Sequence, residues 1–363
     1  MNWKLFQDIL SIDSTSGKER EMALWLHEHL EAPSKQLMEV GDGTLNLLLS
    51  WPGVPSVPES GTQGAKSAQN VPSVPSHGTE RTLRVVFCTH MDTVPPYIAP
   101  VMPDPDWASQ TITGRGSCDA KGQIFAMYTA CKQLEAEGRT GFGLLILAGE
   151  ETGSWGAKAF SKTGFEAPFL IVGEPTDNKM VSAAKGTLSY DLKFTGEPFH
   201  SGYPQYGLSA VDLFNQFYNA LKAVDWGQDP ELGDTTWNVG LLRSDNPQNI
   251  LSAELTCRLY FRTTFTSHQA VQRWMVGASA PLLTVTPRGG DSPSRYVTLP
   301  GFESAPVAFG SDAPHLTGFG HKIICGPGSI TVAHRDNEHI LVSDLETAVQ
   351  QYVRMFSALQ GVD

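Results

Sequence analysis

The chain has 363 residues, of which 40% are hydrophobic and 18% charged, with a formal net charge of −12. That length allows two domains, each with its own core, and the acidity argues against a nucleic-acid partner, which would require a basic face. Five scattered cysteines (Cys88, Cys118, Cys131, Cys257 and Cys325) without a Cys-x-x-Cys favour free thiols in a reducing compartment over a disulfide framework.

The first residues, Met1–Asp8, pattern as an amphipathic helix and lack the continuous apolar stretch of a signal peptide. No apolar run approaches the ~20 residues that cross a bilayer, so a cytoplasmic protein with no membrane association is expected. Residues 54–80 carry Val-Pro-Ser-Val-Pro twice, at 54–58 and 71–75, among Gly, Ser, Gln and Thr. Such a composition cannot bury enough apolar surface to offset its ordering entropy, and it reads as a disordered insertion between strands rather than a polyproline docking motif. The apolar run beginning at Val85 then ends in His90-x-Asp92, as if a buried strand delivered a histidine at its tip. A helix is predicted over Ala120–Glu137, with Ile124, Met127, Cys131 and Leu134 on one stripe and Gly138 to end it. Two further apolar strands, 144–147 and 169–172, run into Glu150-Glu151 and Glu174.

From 180 to 293 the order changes. A strand (Thr187–Thr195), a helix (Leu208–Val224), two strands (Thr235–Leu242 and Ala253–Arg262), a helix (Ser267–Ala278) and a strand (Leu282–Thr286) follow one another. That β-α-β-β-α-β order is the ferredoxin-like sandwich. The last helix opens on Ser343-Asp344-Leu345-Glu346, which predicts a capping box with Ser343 as N-cap and Glu346 at N3. The expectation is an α/β, mixed-sheet domain made of residues 1–179 and 294–363, interrupted by a smaller domain over 180–293. In α/β sheets ligands gather beyond the carboxyl ends of the strands, where His90, Glu150, Glu151 and Glu174 lie.

A histidine and several acids recurring at strand ends suggest a carboxylate-rich pocket for cations. Two divalent ions a few ångströms apart need a shared carboxylate with His or carboxylate groups on either side. The candidates are His90, Asp119, Glu151, Glu174 and a late histidine. Asp92 suits a supporting role, accepting the imidazole N–H of His90, although a turn aspartate before Thr93-Val94-Pro95 would look the same. Asp119 is flanked by glycines that permit close backbone approach; a helix N-cap aspartate is compatible with that role. The adjacent carboxylates of Glu150 and Glu151 repel unless a cation or a shared proton compensates. One can bind metal while the other moves protons, as hydrolysis requires.

The motifs His90-x-Asp92-x-Val94-Pro95, Gly114-Arg115-Gly116…Asp119-x-Lys121-Gly122, Glu150-Glu151 and Gly173-Glu174-Pro175-Thr176 are followed by two more. These are Phe199-His200-Ser201-Gly202 and Gly326-Pro327-Gly328…Ala333-His334-Arg335-Asp336-Asn337-Glu338. In this order the six resemble the co-catalytic zinc hydrolase family that contains acetylornithine deacetylase, succinyl-diaminopimelate desuccinylase and carboxypeptidase G. The similarity runs along the chain apart from 54–80.

The resemblance implies that His90, Asp119 and Glu174 hold one divalent ion and Asp119, Glu151 and His334 the other, with Asp119 bridging and a cis peptide bond after it. It selects His334 rather than His339. Zinc is the expected metal, with cobalt as a substitute. Glu150 would be the general base and acid, and Asp92 would support catalysis. The inserted domain would be a lid that also makes a homodimer. Its His200 would reach into the partner's active site and stabilise the oxyanion, and its Asn249 and Arg262 would contact a substrate carboxylate. Ser252 and Ser244-Asp245 stand where most relatives have Pro and Gly-Gly, which weakens the transfer of a particular substrate.

The implied reaction is hydrolysis of the amide of an N-acyl amino acid, N-acetylornithine or a related compound first, by a water bridging the two metals. A dipeptidase or carboxypeptidase is the alternative, and a catalytically inactive metal-binding dimer is a more distant one.

Overall fold

In a computed structural model, residues 1–53, 83–103 and 110–361 are described. The predicted disordered insertion at 54–80 lies outside the described residues. The chain divides into two compact units, one made of residues 1–180, 297–303 and 311–363, the other of 181–296 and 304–310.

The first unit is built on a six-stranded mixed sheet. Its order across the sheet is Ser34–Gly41, Thr44–Trp51, Phe142–Leu147, Val85–His90, Ala167–Val172 and Phe319–Ile324. The last four run parallel to one another, and the first two form an antiparallel hairpin on one edge. Val85–His90 and Phe142–Leu147 are buried at every position, which is why they read as continuous apolar runs rather than alternating ones. The helix Lys121–Ala136 packs against the last helix, Val342–Leu359, and against the first, Trp3–Ser11. Phe125 of the long helix stacks on Phe6 with ring centroids 4.7 Å apart.

The capping box expected at Ser343 does not form. The last helix starts one residue earlier, at Val342, with Leu341 as N-cap and no side-chain cap. The short strand His339–Leu341 pairs with Thr111–Thr113 and runs straight into the helix, and the Val342 N–H is taken by the Gln110 carbonyl at 2.8 Å. Ser343 therefore sits inside the first turn, past the capping position.

The second unit has the β-α-β-β-α-β order read from the sequence. Its four strands are antiparallel in the order Leu283–Gly289, Gly186–Thr195, Glu254–Thr263 and Thr236–Arg243. The helices Ala210–Lys222 and His268–Ala278 pack on it through a core that includes Phe194, Phe217, Leu259, Phe261 and Met275. Residues 294–296 and 304–310, assigned to the catalytic part in the sequence reading, group with this unit. The reason is a small three-stranded sheet, in which Ser294–Arg295 and Ser304–Val307 flank Met180–Ala184.

Asn46 anchors the turn that follows Phe142–Leu147. Its Oδ1 accepts from the Ala148 N–H at 3.0 Å, and its Nδ2 donates to the Gly156 carbonyl at 2.9 Å. A Cβ at Gly156 would fall 2.4 Å from the Ala148 carbonyl oxygen and 2.5 Å from Asn46 Oδ1. Gly156→Ala is expected to destabilise the protein by about 1–3 kcal/mol, the usual cost of overpacking a closed site. The midpoint of urea unfolding reads this directly, and an unchanged midpoint would show that the backbone yields freely.

Candidate active site

Parallel pairing brings the strand tips to one level. His90 is in register with Leu147, and Cys88 with Val172. Glu150 and Glu151 therefore emerge just past the neighbouring strand on one side of His90, and Glu174 just past the strand on the other. Gly149 turns the chain between Leu147 and the glutamates with φ at +71°, a conformation that glycine adopts without strain.

Asp119 is carried by the loop 114–119 that leads into the long helix, and the peptide bond that follows it is cis. Its two oxygens face two imidazoles. Oδ1 is 3.1 Å from His90 Nε2, and Oδ2 is 3.3 Å from His334 Nε2. His334 also lies 3.0 Å from Glu151 Oε1. Two groups result, His90 with Asp119 and Glu174, and Asp119 with Glu151 and His334. In each, one ligand atom per residue lies within 4.8 Å of the others. Glu174 Oε1 is buried without a hydrogen-bond partner. A carboxylate oxygen stranded in this way is costly, and a cation on it would remove the cost. The donor set of imidazole and carboxylate, with Asp119 in both groups, fits two divalent ions.

Asp92 does more than the sequence reading assigned to it. Its Oδ1 accepts from the Glu150 N–H at 3.0 Å, and its Oδ2 from the Glu151 N–H at 3.2 Å and from Ser16 Oγ at 2.9 Å. His90 Nδ1 lies 3.0 Å from the Asp92 carbonyl and 3.4 Å from its Oδ1. One buried carboxylate thus holds the backbone of both glutamates and touches the ring of the histidine. Ser16 belongs to a strap over residues 14–16: Ser14 Oγ donates to the Met91 carbonyl at 2.6 Å, and the Ser16 N–H to the Thr93 carbonyl at 3.1 Å.

The crowding sets the electrostatics. Burial pushes Glu150 and Glu174 well above the ordinary carboxylate range, with neighbouring acids adding to the rise and His90 opposing it. Burial also raises Glu151. Asp119 goes the other way, because the hydrogen bonds from His334 and His90 together outweigh the effect of its burial. His334 is pushed up to about 10 by its hydrogen bonds to Asp119 and Glu151.

Asp312 was not found from the sequence. It is buried, and burial pushes it up to about 6 against the opposing effects of His90 and a nearby Ser154 hydroxyl. Its charge is felt by Glu150 and Glu174. It sits in the loop Gly310-Ser311-Asp312-Ala313-Pro314, five residues past the short strand Ser304–Val307, which is partly exposed and unlike the continuously buried runs ahead of the other acids.

The remaining candidates lie in the second unit. His200 and Asn249 are brought together there: His200 bridges Ile250, and the Ser201 N–H donates to the Asn249 carbonyl at 2.9 Å. Both side chains are exposed, and His200 Nδ1 accepts from the Gly202 N–H at 3.0 Å. Arg262 lies apart from them on the inner strand Glu254–Thr263, with its guanidinium 5.0 Å from the centre of the Tyr260 ring.

Comparisons with known proteins agree on the kind of molecule this is. The model of peptidase family M20/M25/M40 matches residues 86–358. A probable carboxypeptidase of Aspergillus terreus is 32% identical, covering 97% of this chain and 85% of its own. A peptidase M20 domain-containing protein of Schizosaccharomyces pombe is 32% identical over 77% of this chain and 70% of its own. Among solved structures, a tripeptidase from Staphylococcus aureus superposes with a TM-score of 0.76 at 19% identity, covering 98% of this chain and 97% of its own. A metallo-carboxypeptidase of the same family from Sulfolobus solfataricus gives 0.67 at 16%, covering 98% of each chain. With the family matched from strand Val85–His90 to the last helix, the chain belongs to peptidase family M20/M25/M40 and is a hydrolase of amide bonds.

Proposed function

We propose that this hydrolase uses two divalent ions, most readily zinc, to cleave the amide bond of a small substrate that ends in a free carboxylate. The observation that carries this reading is the position of Asp119 between two ligand groups, with Glu174 Oε1 left without a partner beside it. His90, Asp119 and Glu174 hold one ion, and Asp119, Glu151 and His334 the other. When bound, the ions polarise the scissile carbonyl and make water a nucleophile near neutral pH.

Glu150 moves the proton. Its carboxyl, raised by burial and by neighbouring charge, takes a proton from the attacking water and returns it to the leaving amine. Asp92 aims it through the Glu150 N–H. The motif resemblance supports His200 as the group that stabilises the oxyanion in the partner's active site, and Asn249 and Arg262 as contacts of the substrate carboxylate. Short peptides are the first substrate class, supported by relatives named as probable carboxypeptidases. An N-acyl amino acid such as N-acetylornithine presents the same amide and the same carboxylate, and the motif resemblance supports it as the second class.

A panel of dipeptides and N-acetyl and N-succinyl amino acids, assayed for free amine with added Zn²⁺ or Co²⁺, separates these classes. Glu150→Ala is expected to lower turnover by about 10²–10⁴-fold while two ions per chain remain bound. Near-wild-type turnover in that variant would remove Glu150 from the mechanism. No turnover by the wild type on any of the panel, with two ions bound, would favour an inactive metal-binding protein.

The metal-free protein has its own pH signature. His334 is raised from an ordinary 6.5 to about 10, so its contribution to stability is complete below 6.5 and is lost as pH rises through about 10. After chelation, the melting temperature is expected to fall across that window, and His334→Ala to flatten the fall. Equal slopes in the two proteins would show that His334 does not carry it.

We also infer a homodimer formed through the second unit. Leu241 and Leu242 support it, being exposed at the end of the outer strand Thr236–Arg243. Light scattering should give twice the chain mass, and Leu242→Glu should shift it toward the monomer; a wild-type monomer at micromolar concentration refutes the assembly.

A further inference from the structure

We infer that Glu338 and Arg115 form a buried clamp that sets the distance between Asp119 and His334, and so act as positioning residues for the second cation group. This rests on the two-metal reading above.

Both side chains are almost wholly inaccessible, at 1% exposure each, and Arg115 Nη1 donates to Glu338 Oε2 at 2.6 Å. The other oxygen, Oε1, accepts three backbone N–H groups of the Asp119 loop: Gly116 at 2.9 Å, Cys118 at 3.1 Å and Asp119 itself at 3.0 Å. A carboxylate with that many donors is a strong anchor, because charge-assisted hydrogen bonds are about twice as strong as neutral ones. The Glu338 carbonyl in turn accepts the Gly114 N–H at 3.1 Å. The loop is therefore held at both ends by one residue.

Arg115 extends the clamp in two directions. Its Nη1 also donates to the Arg335 carbonyl at 3.2 Å, and its Nε to the Pro96 carbonyl at 3.2 Å. Arg335 follows His334, whose backbone has φ at +62°, a conformation that a non-glycine residue keeps only when its surroundings impose it. The turn that closes from the Glu338 N–H onto the Arg335 carbonyl at 3.2 Å completes the connection. One ion pair thus joins the segment of Asp119, the segment of His334 and the chain that follows Asp92. His90 is placed differently, by its own strand within the sheet. Loosening the clamp should therefore release His334 from Asp119 while leaving the His90 group closer to intact. A buried ion pair in this position is better explained by specificity of placement than by net stability, since such pairs gain little over apolar packing.

The test is calorimetric titration of the chelator-treated full chain with Zn²⁺, and with Co²⁺ to follow its absorption, in four proteins: wild type, Glu338→Gln, Arg115→Lys and His334→Ala. His334→Ala is expected to keep one ion and lose the other. Glu338→Gln and Arg115→Lys are expected to keep the first ion and bind the second about 10–100-fold more weakly, the usual effect of removing a group that orients a metal ligand. The Co²⁺ spectrum of the second equivalent should change with it, and circular dichroism of the metal-free variants confirms that they are folded. Should Glu338→Gln fail to fold, Arg115→Lys decides, since it keeps a cation opposite Glu338 while losing the fork to Pro96 and Arg335. Wild-type affinity for both ions in the folded clamp variants, with one ion lost in His334→Ala, overturns the clamp alone. Two ions bound as in wild type by His334→Ala overturns the metal reading instead.

Discussion

A single buried carboxylate, Asp119, must face two imidazoles at once, one from a strand of the central sheet and one from a loop more than two hundred residues later. This constraint organises the first unit. It requires a loop that passes close to the strand tips, glycines where that loop turns, and an anchor that keeps its backbone from moving. It also gathers acids into a confined space, where burial raises the proton affinity of Glu150, Glu151, Glu174 and Asp312 and neighbouring carboxylates add to the rise. Without a positive partner such a cluster is held together mainly by protons and by His90 and His334. That makes the same cluster a strong attractor for divalent cations.

The sheet carries a second burden. Asp92 accepts from the backbone of both members of the glutamate pair, so the two carboxylates are aimed by one residue on a neighbouring strand tip. Adjacent glutamates are thereby given different surroundings, Glu151 beside His334 and Glu150 in a more deeply buried place. The different tasks proposed for Glu150 and Glu151 would follow from backbone direction together with their individual surroundings.

Much of this was legible in the sequence wherever function follows a strand. His90, Glu150, Glu151 and Glu174 follow apolar runs, and period and burial make such runs visible. The ferredoxin-like order of the second unit was legible for the same reason. Other features depend on segments meeting across long distances. Nothing local separates His334 from His339; the choice came from the motif resemblance. Asp312, Ser16 and the Glu338–Arg115 pair have roles only because of what approaches them, and no periodicity reports that. At Ser343 a genuine local signal was overruled, since the preceding strand took the backbone position that a cap would have used.

The strap of residues 14–16 on residues 91–93 also bears on how the molecule is made. The centre draws on residues 16, 92, 119, 151, 174, 334 and 338, so every loop it closes is long, and closure entropy must be met before the contacts reward it. The pairings of the central sheet span comparable separations, as between Ala167 and Phe319, so the sheet and the centre face the same closure cost. A chain in which these long loops have not closed therefore lacks the geometry that sets Asp119 against both imidazoles.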